Sequence, residues 1–212
     1  MEDETPMAEK NSNNHETIIK GLPIAEPAPL GLIGLAVAAL ALGVTDLKLV
    51  STTSKSLLIP WVLFFGATAQ LIAGSMEFKR SNIFGATVFS VYAMTMYSIA
   101  LTLFITIFTG IQFDIQHYGY GLLAILVFSM IATVASLMTN KAFFAILIAV
   151  DLAVLALLPH YFYAMTSIPA GIFLLITSIL SFYTAAAILI NTIAGKAILP
   201  LGKPLWQPLK KT

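Results

Sequence analysis

The chain has 212 residues, 58% of them hydrophobic and 10% charged, with a net charge of +1 and a mean hydropathy of +0.92. A soluble domain carries roughly 25% charged residues, so this composition excludes a globule with a polar surface and points to a membrane protein. The near-neutral balance argues against nucleic acid as a partner, and the absence of cysteine excludes a disulfide framework, a thiol nucleophile and a Cys-based metal site.

The chain begins MEDETPMAEKNSNNHE, which is acidic and polar, with no basic segment ahead of a short apolar core. It does not read as a cleaved signal peptide. Residues 1–27 are expected to form a mostly disordered tail, with Ile18, Ile19 and Leu22 as a short interfacial patch.

A membrane span needs roughly 20 mostly apolar residues. Six segments qualify: Leu30–Val50, Leu57–Met76, Asn82–Thr109, Tyr120–Thr139, Ala142–Ala164 and Ile168–Thr192. The expected fold is therefore all-α, with a six-helix transmembrane domain over residues 28–195 and a Pro/Lys-rich tail over 196–212. An even number of spans puts both termini on one side. That side carries Lys10, Lys20, Lys79, Arg80, Lys141, Lys196, Lys203, Lys210 and Lys211, against Lys48 and Lys55 opposite. The positive-inside rule then places both termini in the cytoplasm. Trp206 and the run Tyr161–Phe162–Tyr163 suit the membrane interfaces.

Span one opens EPAPLGLIGLAVAALALG; Pro27 and Pro29 suit the start of a helix, and its glycines and alanines suit close packing. Asp46, Lys48, Glu77, Lys79 and Arg80 fall near span ends and read as solvated or snorkelling charges. In span two, Gly66, Gln70 and Gly74 lie four apart on one stripe. Gln70 either bonds across to a neighbouring helix or faces a solute path. Span three is the most polar, with Thr87, Ser90, Tyr92, Thr95, Tyr97, Ser98 and Thr102. Single hydroxyls can back-bond to their own helix, but several near one face, beside Tyr92, favour a wet or protein-facing lining. Span six repeats the theme with Thr177, Ser178, Ser181, Tyr183 and Thr184.

Span five reads FFAILIAVDLAVLALL around a single charged residue, Asp151. It lies nine residues past Ala142, about 14 Å into the membrane at roughly 1.5 Å per residue. An ionised Asp there costs at least ~2.5–3.5 kcal/mol, which disfavours a lipid-facing side chain. Two solutions remain. The carboxyl is neutral, or it is ionised in a wet cavity and held by hydroxyls. An ionisable group inside the membrane is a functional-site candidate by default, the alternative being a protonated Asp that locks two helices together. His15, His117 and His160 are scattered without metal spacing and read as surface or interfacial, so neither a metal nor a cofactor is expected. The spans hold no nucleophile–base pair, which argues against an enzyme.

Three blocks carry a family likeness: PAPLGL (Pro27–Leu32), AQLIAGSMEFKRSNIFGATVFSVY (Ala69–Tyr92) and NTIAGKAILPLG (Asn191–Gly202). In order and spacing they resemble the acetate uptake transporters, the succinate–acetate permease or YaaH-type family. The resemblance covers nearly the whole chain after residue 25. It implies a homohexamer in the plasma membrane, with a path for short monocarboxylates, chiefly acetate, through each protomer. In that family uptake is described either as proton-linked or as passage through an anion channel. The resemblance places Leu30 in the N-terminal motif, Leu35 and Tyr92 at the constriction, Asp151 at a constriction position of span five, and Ser181, two before Tyr183, on the lining. This chain departs from the family pattern in Glu26, where the motif has asparagine, and in YAMTMY after the second block. Asp151 also stands where a leucine is usual. The expected solute path is thus Leu30, Leu35, Gln70, Tyr92, Thr95, Asp151, Ser181 and Tyr183. The expected function is transport of acetate or a similar small monocarboxylate with protons, the alternative being a passive channel for small anions or neutral solutes.

Overall fold

The structure is a computed structural model, and it describes residues 24–111 and 114–207. The Ile18–Leu22 patch, Lys10, Lys20, Lys210 and Lys211 lie outside the described residues.

Six helices long and apolar enough to cross a membrane occupy the described residues: α1 (Ala28–Asp46), α2 (Lys55–Lys79), α3 (Ile83–Thr109), α4 (Ile115–Ser136), α5 (Lys141–Tyr163) and α6 (Ile168–Ala194). The fold is all-helical and no strand occurs among the described residues. α4 starts five residues before the segment read from hydropathy, because Asp114 caps it by accepting the Gln116 N–H at 3.0 Å. Asn82 and Asn140 cap α3 and α5 in the same way. Gly110 and Gly195 end α3 and α6 in the left-handed conformation. Ala164 does so for α5, against the usual preference of a residue with a Cβ.

The helices form a ring in the order α4, α5, α6, α1, α2, α3, and the ring closes only loosely between α3 and α4. The surface is apolar and the interior partly polar, the reverse of a soluble domain. Phe64, Leu101, Ile131 and Ile179 point outward, whereas Gln70, Ser129, Thr177, Ser178 and Thr184 are buried.

α2 is irregular. It winds through a wider, π-type stretch over Trp61–Ala69 before regular α-helix resumes at Gln70. The Thr68 hydroxyl donates five residues back to the Leu63 carbonyl at 2.9 Å within that stretch. Gly34 of α1 makes room for it: a Cβ there would lie 2.4 Å from the Phe65 carbonyl oxygen. Gly66 packs on Ala38 and Met96, and Gly74 on Ser90, so the glycine stripe of α2 is a packing seam.

On the face that holds the start of α1 and the end of α6, residues after α6 fold back as a strap. The Asn191 side chain donates to the Leu199 carbonyl at 2.8 Å and accepts the N–H groups of Ile198 and Leu199. Leu201 then accepts the Ala142 N–H at the start of α5, and Leu205 and Trp206 both donate to the Leu137 carbonyl after α4. Residues 196–207 are therefore docked against the bundle.

Glu77 differs from its expected solvated setting. It is 1% exposed, accepts from Asn82 Nδ2 at 2.9 Å, and lies 4.0 Å from Arg80. The reason is Gly85, whose missing side chain leaves the space that Glu77 fills. Arg80 pairs with Glu26 at 2.6 Å, and this contact raises the guanidinium pKa further above its ordinary value. Glu26 also accepts the Ala28 N–H at 3.3 Å, so the residue that departs from the family motif ties the start of α1 to the α2–α3 turn.

Candidate functional site

The ring encloses a cavity of about 340 Å³ that opens on the face holding the end of α1 and the start of α4. Asp46, Lys55, Asp114 and His160 stand at its mouth, so charge of both signs meets an incoming solute. His160 donates Nδ1–H to the Met165 carbonyl at 2.7 Å. The walls are mostly apolar, interrupted by Thr45, Thr95, Thr102, Thr106 and Thr177. Four of these hydroxyls are committed to their own helices: Thr45 donates to Ala41, Thr95 to Val91, Thr106 to Thr102 and Thr177 to Phe173. Such hydroxyls turn lone pairs toward the cavity and offer an anion no proton.

The inner end of the cavity is Leu35 of α1, Tyr92 of α3 and Val150 of α5. Beyond it the same residues join a buried apolar cluster with Leu32, Phe89, Ile146 and Leu147. That cluster closes the bundle on the side of the strap.

Tyr92 is 3% exposed, and its hydroxyl lies 2.7 Å from Ser129 Oγ of α4. Ser129 donates to Oδ1 of Asp151, and Thr133, one turn further along α4, donates to Oδ2 at 2.6 Å. Asp151 thus turns into the protein and is held by two hydroxyls of one helix stripe. Among the described residues no lysine or arginine pairs with it. Its side chain is one serine away from the cavity wall.

The eight residues expected along the path fall into separate groups. Leu35, Tyr92 and Thr95 line the cavity. Asp151 stands behind it, linked through Ser129 to Tyr92. Leu30 is 42% exposed on the first turn of α1, away from the cavity. Gln70 is wholly buried and donates back to the Gly66 carbonyl at 2.6 Å, with Oε1 unpartnered. Ser181 is wholly buried with an unpartnered hydroxyl. Tyr183 donates to the Pro200 carbonyl at 2.7 Å and so holds the strap. Sequence reasoning missed Ser129 and Thr133. Their i, i+4 spacing in the fourth span was the available signal.

A second cleft of about 560 Å³ runs between α3 and α4, with Ser90 and Ser98 on its wall. It shares Thr95, Tyr118, Leu122 and Ile125 with the main cavity.

Six spanning helices around an internal cavity, with a half-buried, hydroxyl-bonded carboxylate beside its inner end, define a multi-pass membrane protein with a solute compartment. The chain belongs to the GPR1/FUN34/yaaH family, whose sequence model matches residues 11–200. It is 27% identical over 191 residues to the Escherichia coli protein named succinate-acetate/proton symporter SatP, covering 85% of this chain and 96% of that one. It is 29% identical over 197 residues to the Yarrowia lipolytica protein named glyoxylate pathway regulator, covering 87% of this chain and 70% of that one. The fold matches the solved structure of the bacterial acetate channel SatP with a TM-score of 0.78 at 23% identity, over 85% of this chain and 100% of that one.

Proposed function

We propose that the protein carries acetate or a similar small monocarboxylate across the plasma membrane, with uptake coupled to protons at Asp151. The family and the named relatives support acetate transport. The observation that carries the proton is the half-buried carboxylate itself, bonded by Ser129 and Thr133 and joined through Ser129 to the tyrosine at the cavity's inner end. An ionisable side chain at mid-membrane depth is costly to keep, which supports a role on a solute or proton path. With both termini in the cytoplasm, as the lysine distribution supports, the cavity opens outward and the Leu35–Tyr92 level is the neck. Resemblance to the family supports a homohexamer with one path per protomer.

The cavity is small and mainly apolar, which suits a short acyl chain better than a dicarboxylate. Passive passage of small anions is the second reading, favoured by the solved neighbour described as a channel. The two separate in proteoliposomes with voltage clamped by potassium and valinomycin. Labelled acetate accumulates when an inward proton gradient is imposed, beyond protein-free controls, and Asp151→Asn abolishes that accumulation while leaving exchange of acetate measurable. Flux indifferent to the gradient in the unmutated protein supports the channel.

A further inference from the structure

The four groups Tyr92, Ser129, Asp151 and Thr133 form a hydrogen-bond chain whose direction follows from proton counting. With Asp151 ionised, the one hydroxyl proton of Ser129 goes to Asp151 Oδ1. Ser129 therefore accepts from Tyr92, whose only hydroxyl proton points away from the solute. In this state the neck offers a carboxylate no donor, since Thr95 and Thr177 are also committed to their own helices.

We propose that protonation of Asp151 reverses this chain and turns Tyr92 from an acceptor into a hydrogen-bond donor toward the solute at the neck. The proposal rests on the reading of the cavity as a monocarboxylate path. Thr133 fixes which oxygen takes the proton: it keeps Oδ2 as an acceptor and leaves Oδ1, facing Ser129, as the protonation site. Protonated Asp151 donates to Ser129, Ser129 donates to Tyr92, and the Tyr92 proton is free to meet a carboxylate. No hydroxyl gains or loses a proton overall. Thus an acid that never touches the solute makes the neck accept an anion only when a proton is already stored beside it.

An undissociated acid reaches the same state in one concerted shift. Its O–H bond breaks as its proton joins Tyr92, the former Tyr92 proton joins Ser129, and the former Ser129 proton joins Asp151 Oδ1. Asp151 becomes neutral, the solute becomes the carboxylate, and total charge is unchanged. The carboxylate is left accepting from Tyr92.

The surroundings isolate Asp151 as the titrating group. α4 presents it with Ser129 and Thr133, neither ionisable. α6 contains no charged residue, and its one titratable side chain, Tyr183, is bonded to the strap. α3 contributes Tyr92. The charged groups Asp46, Lys55, Asp114 and His160 stand at the far mouth of the cavity.

Ser129 is in this scheme a positioning residue, and infrared difference spectra of the reconstituted protein over a pH titration test it without reference to transport. The expected result is a protonated-carboxyl band, absent in Asp151→Asn, that titrates with the same midpoint as the ring C–O band of isotope-labelled tyrosine, the latter absent in Tyr92→Phe. In Ser129→Ala the carboxyl band still titrates but the tyrosine band no longer follows, and Ser129→Thr restores the pairing. A Tyr92 band that ignores the carboxyl in the unmutated protein, or still follows it in Ser129→Ala, overturns the proposal. In flux assays with acetate, Ser129→Ala is expected to lose the proton-gradient dependence of uptake although Asp151 remains; retained dependence also overturns it. Coupled bands in a protein without acetate flux would uphold the switch and sink the substrate assignment instead.

Discussion

Thr133 and Ser129 take the two oxygens of Asp151, and each removes part of the cost of holding a carboxylate at mid-membrane depth. A hydrogen bond to a charged group contributes about 1.5–3 kcal/mol. Thr133→Val, which keeps the shape and deletes the donor, is therefore expected to lower stability by about 2 kcal/mol, read as a drop in the thermal midpoint of the protein in detergent. An unchanged midpoint would mean that the bond does not hold the acid. Asp151 was legible in the sequence because a lone charge amid apolar residues has no cheap place in lipid. Its partners were not. A serine and a threonine in a hydrophobic span most often bond to their own helix, as Thr95, Thr106 and Thr177 do here, and only the docking of α4 on α5 separates Ser129 and Thr133 from that majority. Gln70 illustrates the converse. Its amide looked available to a path, but the helix it sits on supplies the carbonyl it bonds.

At the scale of elements, spans read well and irregularities did not. Hydropathy located all six helices, since a long apolar run has few alternatives in a membrane. The π-type stretch of α2 left no mark, because it depends on how closely Gly34 lets the Phe65 carbonyl approach. The strap was also hidden. Pro and Lys over residues 196–212 read as a tail by composition, whereas the bonds that dock residues 196–207 are mostly from main-chain groups, to which composition is blind. Asn191 anchors the strap with three hydrogen bonds from one side chain. Asn191→Ala is expected to release residues 196–207, so that limited proteolysis cuts there at least several times faster while the six helices stay intact by circular dichroism. Equal cleavage rates would assign the docking to Tyr183 and the Leu137 carbonyl instead.

At the scale of the whole molecule, one end of the ring is hollow and the other is filled. The filled end is the cluster of Leu32, Phe89, Ile146 and Leu147, each almost wholly buried. Truncating a buried leucine forfeits packing worth about 2 kcal/mol or more and leaves a void. Leu147→Ala should therefore both destabilise the bundle and thin the seal. The expected readout is faster efflux of labelled acetate from proteoliposomes with weaker dependence on the proton gradient. Efflux equal to that of the unmutated protein would place the barrier elsewhere, at the Leu35–Tyr92 level. Family likeness carried the architecture. It could not indicate that this chain wires an acid into the wall behind its tyrosine, because that wiring joins residues from three helices far apart in sequence.

The strap has a mechanical consequence. By bonding to the end of α6, the start of α5 and the turn after α4, it laces three neighbouring helices together at one level, as a hoop does staves. Those three cannot part there without tearing backbone hydrogen bonds. Among the described residues, α1 is tied to the α2–α3 turn at that level by the pair Glu26–Arg80, with Glu77 4.0 Å from Arg80 and accepting from Asn82. The second half of the chain is thereby held together at the filled end of the bundle by main-chain hydrogen bonds.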